Sequence, residues 1–110
     1  MAAQTLVPIL YARDARHSAQ WYERLGFTVT GEHRFAPDLP LYLFLRWGEL
    51  QVHLSEHQGD ARPGTLLYLW VPALDPIAQG FGATVEDLPW ARQVEIADPD
   101  GNRWRIGEEF

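Results

Sequence analysis

The chain states one pattern twice. VPILYARD at 7–14 leads into WYERLGF at 21–27, and TLLYLWVPALD at 65–75 leads into GFGATVED at 80–87. Each passage reads as an apolar strand, an Asp at a helix start, a short helix, a Gly stop and then further strands. Self-similarity with a period of roughly 60 residues marks a duplicated supersecondary unit, because each copy exposes an apolar sheet face that needs cover. Few folds satisfy that condition.

Local chemistry places the elements. Residues 5–12 (TLVPILYA) are apolar and β-branched, and Pro8 confines this strand to a sheet edge or a strand start. Asp14 is a helix N-cap, with Ala15, Ala19, Tyr22 and Leu25 on one face at helical spacing and Gly26 as the stop. TVTGEH (28–33) reads as a short strand entering a turn, and RFAPDLP (34–40) as a loop. LYLFLRW (41–47) and ELQVHLS (49–55) form a hairpin about Gly48. The first unit is therefore β-α-β-β-β.

EHQGDARPG (56–64) is polar, rich in Gly and Pro, and falls where the second copy begins. It reads as a linker within one domain spanning 1–110, between a first unit at about 5–55 and a second at about 65–108. TLLYLWV (65–71) is a strand. Asp75 then serves as N-cap with Pro76 at the first helical position, and Gly80 and Gly82 keep that helix short. Strands within GATVEDLP, RQVEIADP and NRWRIGE complete an α+β fold of two tandem β-α-β-β-β units.

Composition excludes several classes of function. With 110 residues and 46% hydrophobic content, the chain can bury one small core. A net charge of −6, with Arg supplying every basic side chain, argues against nucleic acid as a partner, since phosphate binding needs clustered cations. There is neither a long apolar run nor a basic segment leading into an apolar one, so the expectation is a cytoplasmic protein with no membrane partner. Zero cysteines remove disulfides, thiolate catalysis and Cys-ligated zinc.

The doubled unit, the Asp that opens the first helix, LGF at 25–27 and DPDGN at 98–102 together resemble the vicinal oxygen chelate superfamily of glyoxalases, extradiol dioxygenases and bleomycin resistance proteins. Within it, VPILYARD, WYERLGF, TLLYLWVPALD and LPWARQVEIADPDGN look most like the metal-free bleomycin-binding proteins. The resemblance implies a cupped mixed sheet and a homodimer with pockets shared between subunits. DPDG and LGF are structural signatures, a β-turn and a helix stop, and do not name a ligand.

In metal-dependent members, one inward residue from each of four strands holds a divalent ion. Counting by the family's motifs puts Val7, His53, Leu66 and Arg105 at those positions. Zinc, iron and manganese need N, O or S donors, so only His53 qualifies, and Arg105 would repel a metal. The resemblance therefore implies no metal and no cofactor. His53 and His57 make a poor second metal pair, because a spacing of four on a strand separates them by about 13 Å. His57 is expected to be solvated, and His17 and His33 to lie at the surface.

Five Trp, four Tyr and five Phe are a rich aromatic supply. Trp21, Tyr22, Phe27 and Phe44 are expected in the core. Trp90, after Pro89 and outside a regular strand, matches by resemblance the tryptophan that stacks on bleomycin's planar bithiazole, with a structural lid as the other reading. Phe35, with Tyr42 behind it, is the candidate for a second stacking face. Tyr68, Trp70, His53 and Arg105 are expected to line the sheet concavity, with Glu49, Glu56, Asp60 or Glu95 available to offset Arg105.

Two functions lead, ahead of a third, a small regulatory or immunity-type module that binds a metabolite. The first is a metal-free protein that sequesters a planar or glycopeptide antibiotic such as bleomycin at a dimer interface, without catalytic residues. The alternative is a metal-dependent lyase, isomerase or dioxygenase, for which His53, Glu95 and Glu56 are the available bases.

Overall fold

A computed structural model describes residues 4–110, with a division into two compact units between Pro63 and Gly64. The first unit contains β1 (Ile9–Tyr11), α1 (Ala15–Leu25), β2 (Thr28–His33), β3 (Tyr42–Trp47) and β4 (Leu50–Ser55). The second contains β5 (Leu66–Trp70), α2 (Asp75–Phe81), β6 (Glu86–Asp87), β7 (Ala91–Ala97) and β8 (Arg103–Glu109). The sheets have the orders β1-β4-β3-β2 and β5-β8-β7-β6. In each, the first and last strands pair parallel and the remaining neighbours antiparallel. The duplication read from sequence is thus a duplication of topology.

In the first unit α1 packs on β2, β3 and β4. Its buried face is Ala15, Ser18, Ala19, Tyr22 and Leu25, which contains all four residues picked out by periodicity. Leu10, Leu43, Leu45, Val52 and Leu54 fill the facing side of the sheet, and burying each stabilises by about 1.5–3 kcal/mol. Asp14 caps α1, its Oδ1 accepting from His17 N at 3.2 Å. Gly26 ends it at φ 137, with its N–H donated to Tyr22 O. A Cβ at Gly26 would meet Trp47 Cε2 at 2.8 Å, so both the backbone angle and the neighbouring indole require glycine. The expected hairpin turns at Gly48, where the positive φ falls on glycine alone.

Two local expectations are corrected. β1 spans Ile9–Tyr11 rather than 5–12, although it does lie at a sheet edge as Pro8 requires. Asp75 is not the N-cap of α2. Leu74 occupies that position without a side-chain cap bond, and Asp75 instead pairs with Arg92 at 2.8 Å. Residues 56–60 are hydrogen-bonded into the first unit. Glu56 Oε2 accepts from Ala15 N at 2.8 Å and its Oε1 from Leu41 N at 2.9 Å. Ser55 Oγ donates to Asp60 Oδ2 at 2.7 Å and accepts from His57 N at 3.1 Å.

The second unit repeats the device. Glu108 Oε1 accepts from Leu74 N at 2.9 Å, placing a carboxylate at the entrance to α2 as Glu56 does at α1. DPDGN is structural, as expected. Asp98 Oδ1 accepts from Asp100 N and Asn102 N, and its Oδ2 from Asn102 Nδ2. Asn102 Oδ1 accepts from Thr65 N at 3.1 Å, tying the turn to the start of β5. No helix among the described residues is long and apolar enough to cross a membrane.

Candidate functional site

Strand periodicity sets the site in the second unit. Leu69 points into the core, so Leu66, Tyr68 and Trp70 must point the other way, and each is roughly half-exposed. Their partners on β8 are Arg103, Arg105 and Gly107, whose partners on β7 are Ala97, Glu95 and Gln93. Tyr68, Arg105 and Glu95 therefore form one row across three strands.

Within that row Arg105 Nε donates to Glu95 Oε1 at 3.0 Å, and from the neighbouring row Arg103 Nη1 lies 3.5 Å from Glu95 Oε2. The Arg105 hydrogen bond, with Arg103 adding to it, holds the Glu95 carboxyl below its ordinary range. These groups are more than a third exposed, so the pair orients the guanidinium more than it stabilises the fold. Glu95 is the residue that offsets Arg105.

Trp90 sits between β6 and β7, outside either strand, and is 57% exposed. A bond from Leu88 N to Ala91 O at 2.8 Å closes the turn that carries it. Trp90, Tyr68, Arg105, Glu95, Glu86 and Gln93 line a concavity of about 510 Å³, together with Thr84, Leu88 and Val94. Gly107 shapes the adjoining surface, since a Cβ there would meet Tyr68 Oη at 2.6 Å and Trp70 Cζ3 at 3.0 Å. Both rings lie close over the backbone because β8 has no side chain at that point. Trp70 lines a different concavity, of about 570 Å³, with Val71, Pro72, Glu108, Glu109 and Phe110.

The first unit has a concavity of its own, of about 410 Å³, lined by His33, Phe35, Tyr42, Phe44, His57 and Asp60. Phe35 is largely exposed and meets His33 and His57 edge-on, at centroid distances of 4.5 and 6.3 Å. Tyr42 Oη and His53 Nδ1 are hydrogen-bonded at 2.8 Å. Burial lowers the His53 pKa from its ordinary 6.5. Burial, reinforced by the Asp60 charge, raises that of Tyr42. Both shifts favour the neutral form of the group.

Two expectations fail here. Phe44 is not a core residue. It alternates with buried Leu43 and Leu45 and so faces Tyr42 and His53, at 5.4 and 4.8 Å. His57 is half-buried rather than solvated: β4 ends at Ser55, and the turn beyond brings its ring within 6.4 Å of Tyr42.

The structure thus brings Tyr68, Trp90 and Arg105 together in one unit and Phe35 and Tyr42, with His53 bonded to Tyr42, in the other. It places Trp70 apart from Trp90. Sequence reasoning missed Glu86, Gln93 and Thr84; period-two counting back from Glu95 reaches Gln93, but Glu86 arrives only through the pairing of β6 with β7. Leu66 and Arg105 lie on the same face of β5 and β8, and His53 shares a face with its Cα partner Ile9. No group of three or more His, Asp or Glu side chains with metal-binding geometry occurs among the described residues.

A family model described as glyoxalase superfamily protein matches residues 1–110. Solved structures with the same fold include the bleomycin resistance determinant encoded on the transposon Tn5, 22% identical, covering 97% of this chain and 98% of that one at a TM-score of 0.75. A glyoxylase/bleomycin resistance protein/dioxygenase domain from Frankia sp. EAN1pec is 20% identical, covering 100% and 94% at a TM-score of 0.80. A bleomycin-binding protein complexed with bleomycin is 20% identical, covering 98% and 100% at a TM-score of 0.67. Among curated protein sequences, none matches this chain.

Proposed function

Because the chain belongs to the glyoxalase superfamily, whose fold is shared by a protein solved with bleomycin bound, we propose that it is a metal-free binding protein that sequesters a planar antibiotic of the bleomycin type. The observation that carries this reading is Trp90. A large indole, 57% exposed on a turn closed by its own hydrogen bond, is expensive to leave in water unless something covers it. It stands beside Tyr68 and the oriented Arg105 in a concavity of about 510 Å³, within the range of small-molecule sites. The protein acts by affinity, in the cytoplasm, as a homodimer in which a second copy covers the half-exposed faces of Leu66, Tyr68 and Trp70.

The donor set supports binding over metal-assisted chemistry. Arg105 is a permanently protonated cation, and neither it nor the side chains of Val7 and Leu66 offer a lone pair. Glu56, a candidate base by sequence, has both oxygens occupied by backbone N–H groups.

The test is calorimetric titration of metal-free and copper-loaded bleomycin into purified protein, with the metal content of the same sample measured in parallel. One drug bound per subunit without stoichiometric metal supports sequestration. Trp90→Ala should then weaken binding by about tenfold or more through lost stacking and burial, while unfolding is nearly unchanged. Absence of bleomycin binding, or stoichiometric iron, manganese or zinc in the sample, would overturn the reading.

A further inference from the structure

The concavity around Trp90 has a polarity that narrows what it can hold. Glu95 takes the Nε–H of Arg105, and among the described residues neither Nη1 nor Nη2 of Arg105 has a protein acceptor. A guanidinium fixed through Nε presents its terminal N–H groups as a planar fork. Tyr68, its Cα partner on β5, lies close over Gly107, and Trp90 stands on the turn before β7. Trp90 and Arg105 line the same concavity, so a ring stacked on Trp90 shares its site with a two-pronged donor.

Charge decides which acceptor suits the fork. One guanidinium lines the concavity against two carboxylates, Glu86 and Glu95. Glu86 is exposed at the strand edge, and its Cα partner Gln93 is two residues from Glu95 on β7. A carboxylate ligand would gain from Arg105 and lose to both glutamates. A neutral carbonyl oxygen takes the same hydrogen bonds without that repulsion.

We propose that this site selects a planar aromatic ring bearing a conjugated neutral carbonyl oxygen, of the carboxamide or lactam kind, held by the terminal nitrogens of Arg105 while the ring stacks on Trp90. The proposal deepens the binding reading and rests on it for the use of this concavity. It assigns Arg105 as the residue that sets specificity and Glu95 as the residue that positions it.

The test compares three probes of one ring system, quinoline-2-carboxamide, quinoline-2-carboxylate and quinoline, titrated by calorimetry into the wild type, Arg105→Met and Glu95→Gln. In the wild type the carboxamide should bind about tenfold more tightly than quinoline, the gain expected from a hydrogen bond to a charged donor, and more tightly than the carboxylate. Arg105→Met should bring carboxamide and quinoline to equal affinity while measurable binding of both remains, a loss of preference that mere loss of fold would not produce. Glu95→Gln should shift the preference toward the carboxylate, because one repelling charge is gone.

Equal affinity for all three probes, a preference retained in Arg105→Met, tightest binding of the carboxylate to the wild type, or no binding of any probe at millimolar concentration would overturn the proposal. Bleomycin binding the wild type and Arg105→Met equally would do the same while leaving sequestration intact. A carboxamide preference in a protein that ignores bleomycin would sink the drug assignment alone.

Discussion

Glu56→Ala should be among the most damaging single changes outside the apolar core. The carboxylate accepts from Ala15 N at 2.8 Å and from Leu41 N at 2.9 Å, so it joins the start of α1 to the segment entering β3. Both partner residues are buried, and alanine would leave their N–H groups without an acceptor. A hydrogen bond to a charged group is worth about 1.5–3 kcal/mol. Glu56 is itself only half-buried, so the lower end applies. Two such bonds amount to about 3 kcal/mol, and the negative charge at the helix N-terminus adds a few tenths more. With a urea slope of about 1.5 kcal/mol/M for a domain of this size, the unfolding midpoint should fall by about 2 M. Glu56→Gln should lose roughly half as much, because its amide oxygen can accept one bond while its NH₂ group confronts the other donor. The assay is equilibrium urea denaturation followed by circular dichroism and tryptophan fluorescence, which should coincide if unfolding is two-state. A Glu56→Ala protein within about 0.5 kcal/mol of wild type would refute the reasoning and return Glu56 to the ranks of surface carboxylates.

Other outcomes follow from the same geometry. Gly26→Ala should destabilise by about 2 kcal/mol or more in the same denaturation experiment, since φ 137 strains any L side chain and the new methyl would meet Trp47 at 2.8 Å. His53 should titrate below 6.5 when followed by imidazole proton NMR, because burial disfavours its charged form. Its contribution to stability is therefore full above the unfolded-state value and is lost as pH falls through the folded one; a midpoint at or above 6.5 would contradict the burial of the ring.

Recognition of the fold from sequence depended on signals carried by contiguous residues. The alternation Leu67–Tyr68–Leu69 declares a half-buried strand, Asp14 and Gly26 bracket a helix, and DPDGN closes a turn with its own side chains. Where a local signal is ambiguous, distant partners decide the outcome. Asp75 before Pro76 has the look of a cap, but Arg92 on β7 draws the carboxylate away and Glu108 on β8 supplies the acceptor for Leu74 N. Phe44 is as apolar as Leu43 and Leu45, yet strand alternation sends it to the other face beside Tyr42 and His53.

Sequence by itself determined the duplicated β-α-β-β-β unit, both ends of α1, the hairpin at Gly48 and the absence of side-chain N or O donors at Val7 and Leu66, because period, cap and turn chemistry act over a few bonds. Tertiary structure alone decided what the polar side chains with distant partners do. Glu56 became a structural acceptor, Glu95 the partner of Arg105, and His57 a wall beside Tyr42 through groups many residues away in the chain. A carboxylate's role depends on which N–H arrives within about 3 Å of it, and that is settled only when strand register and helix packing bring distant segments together.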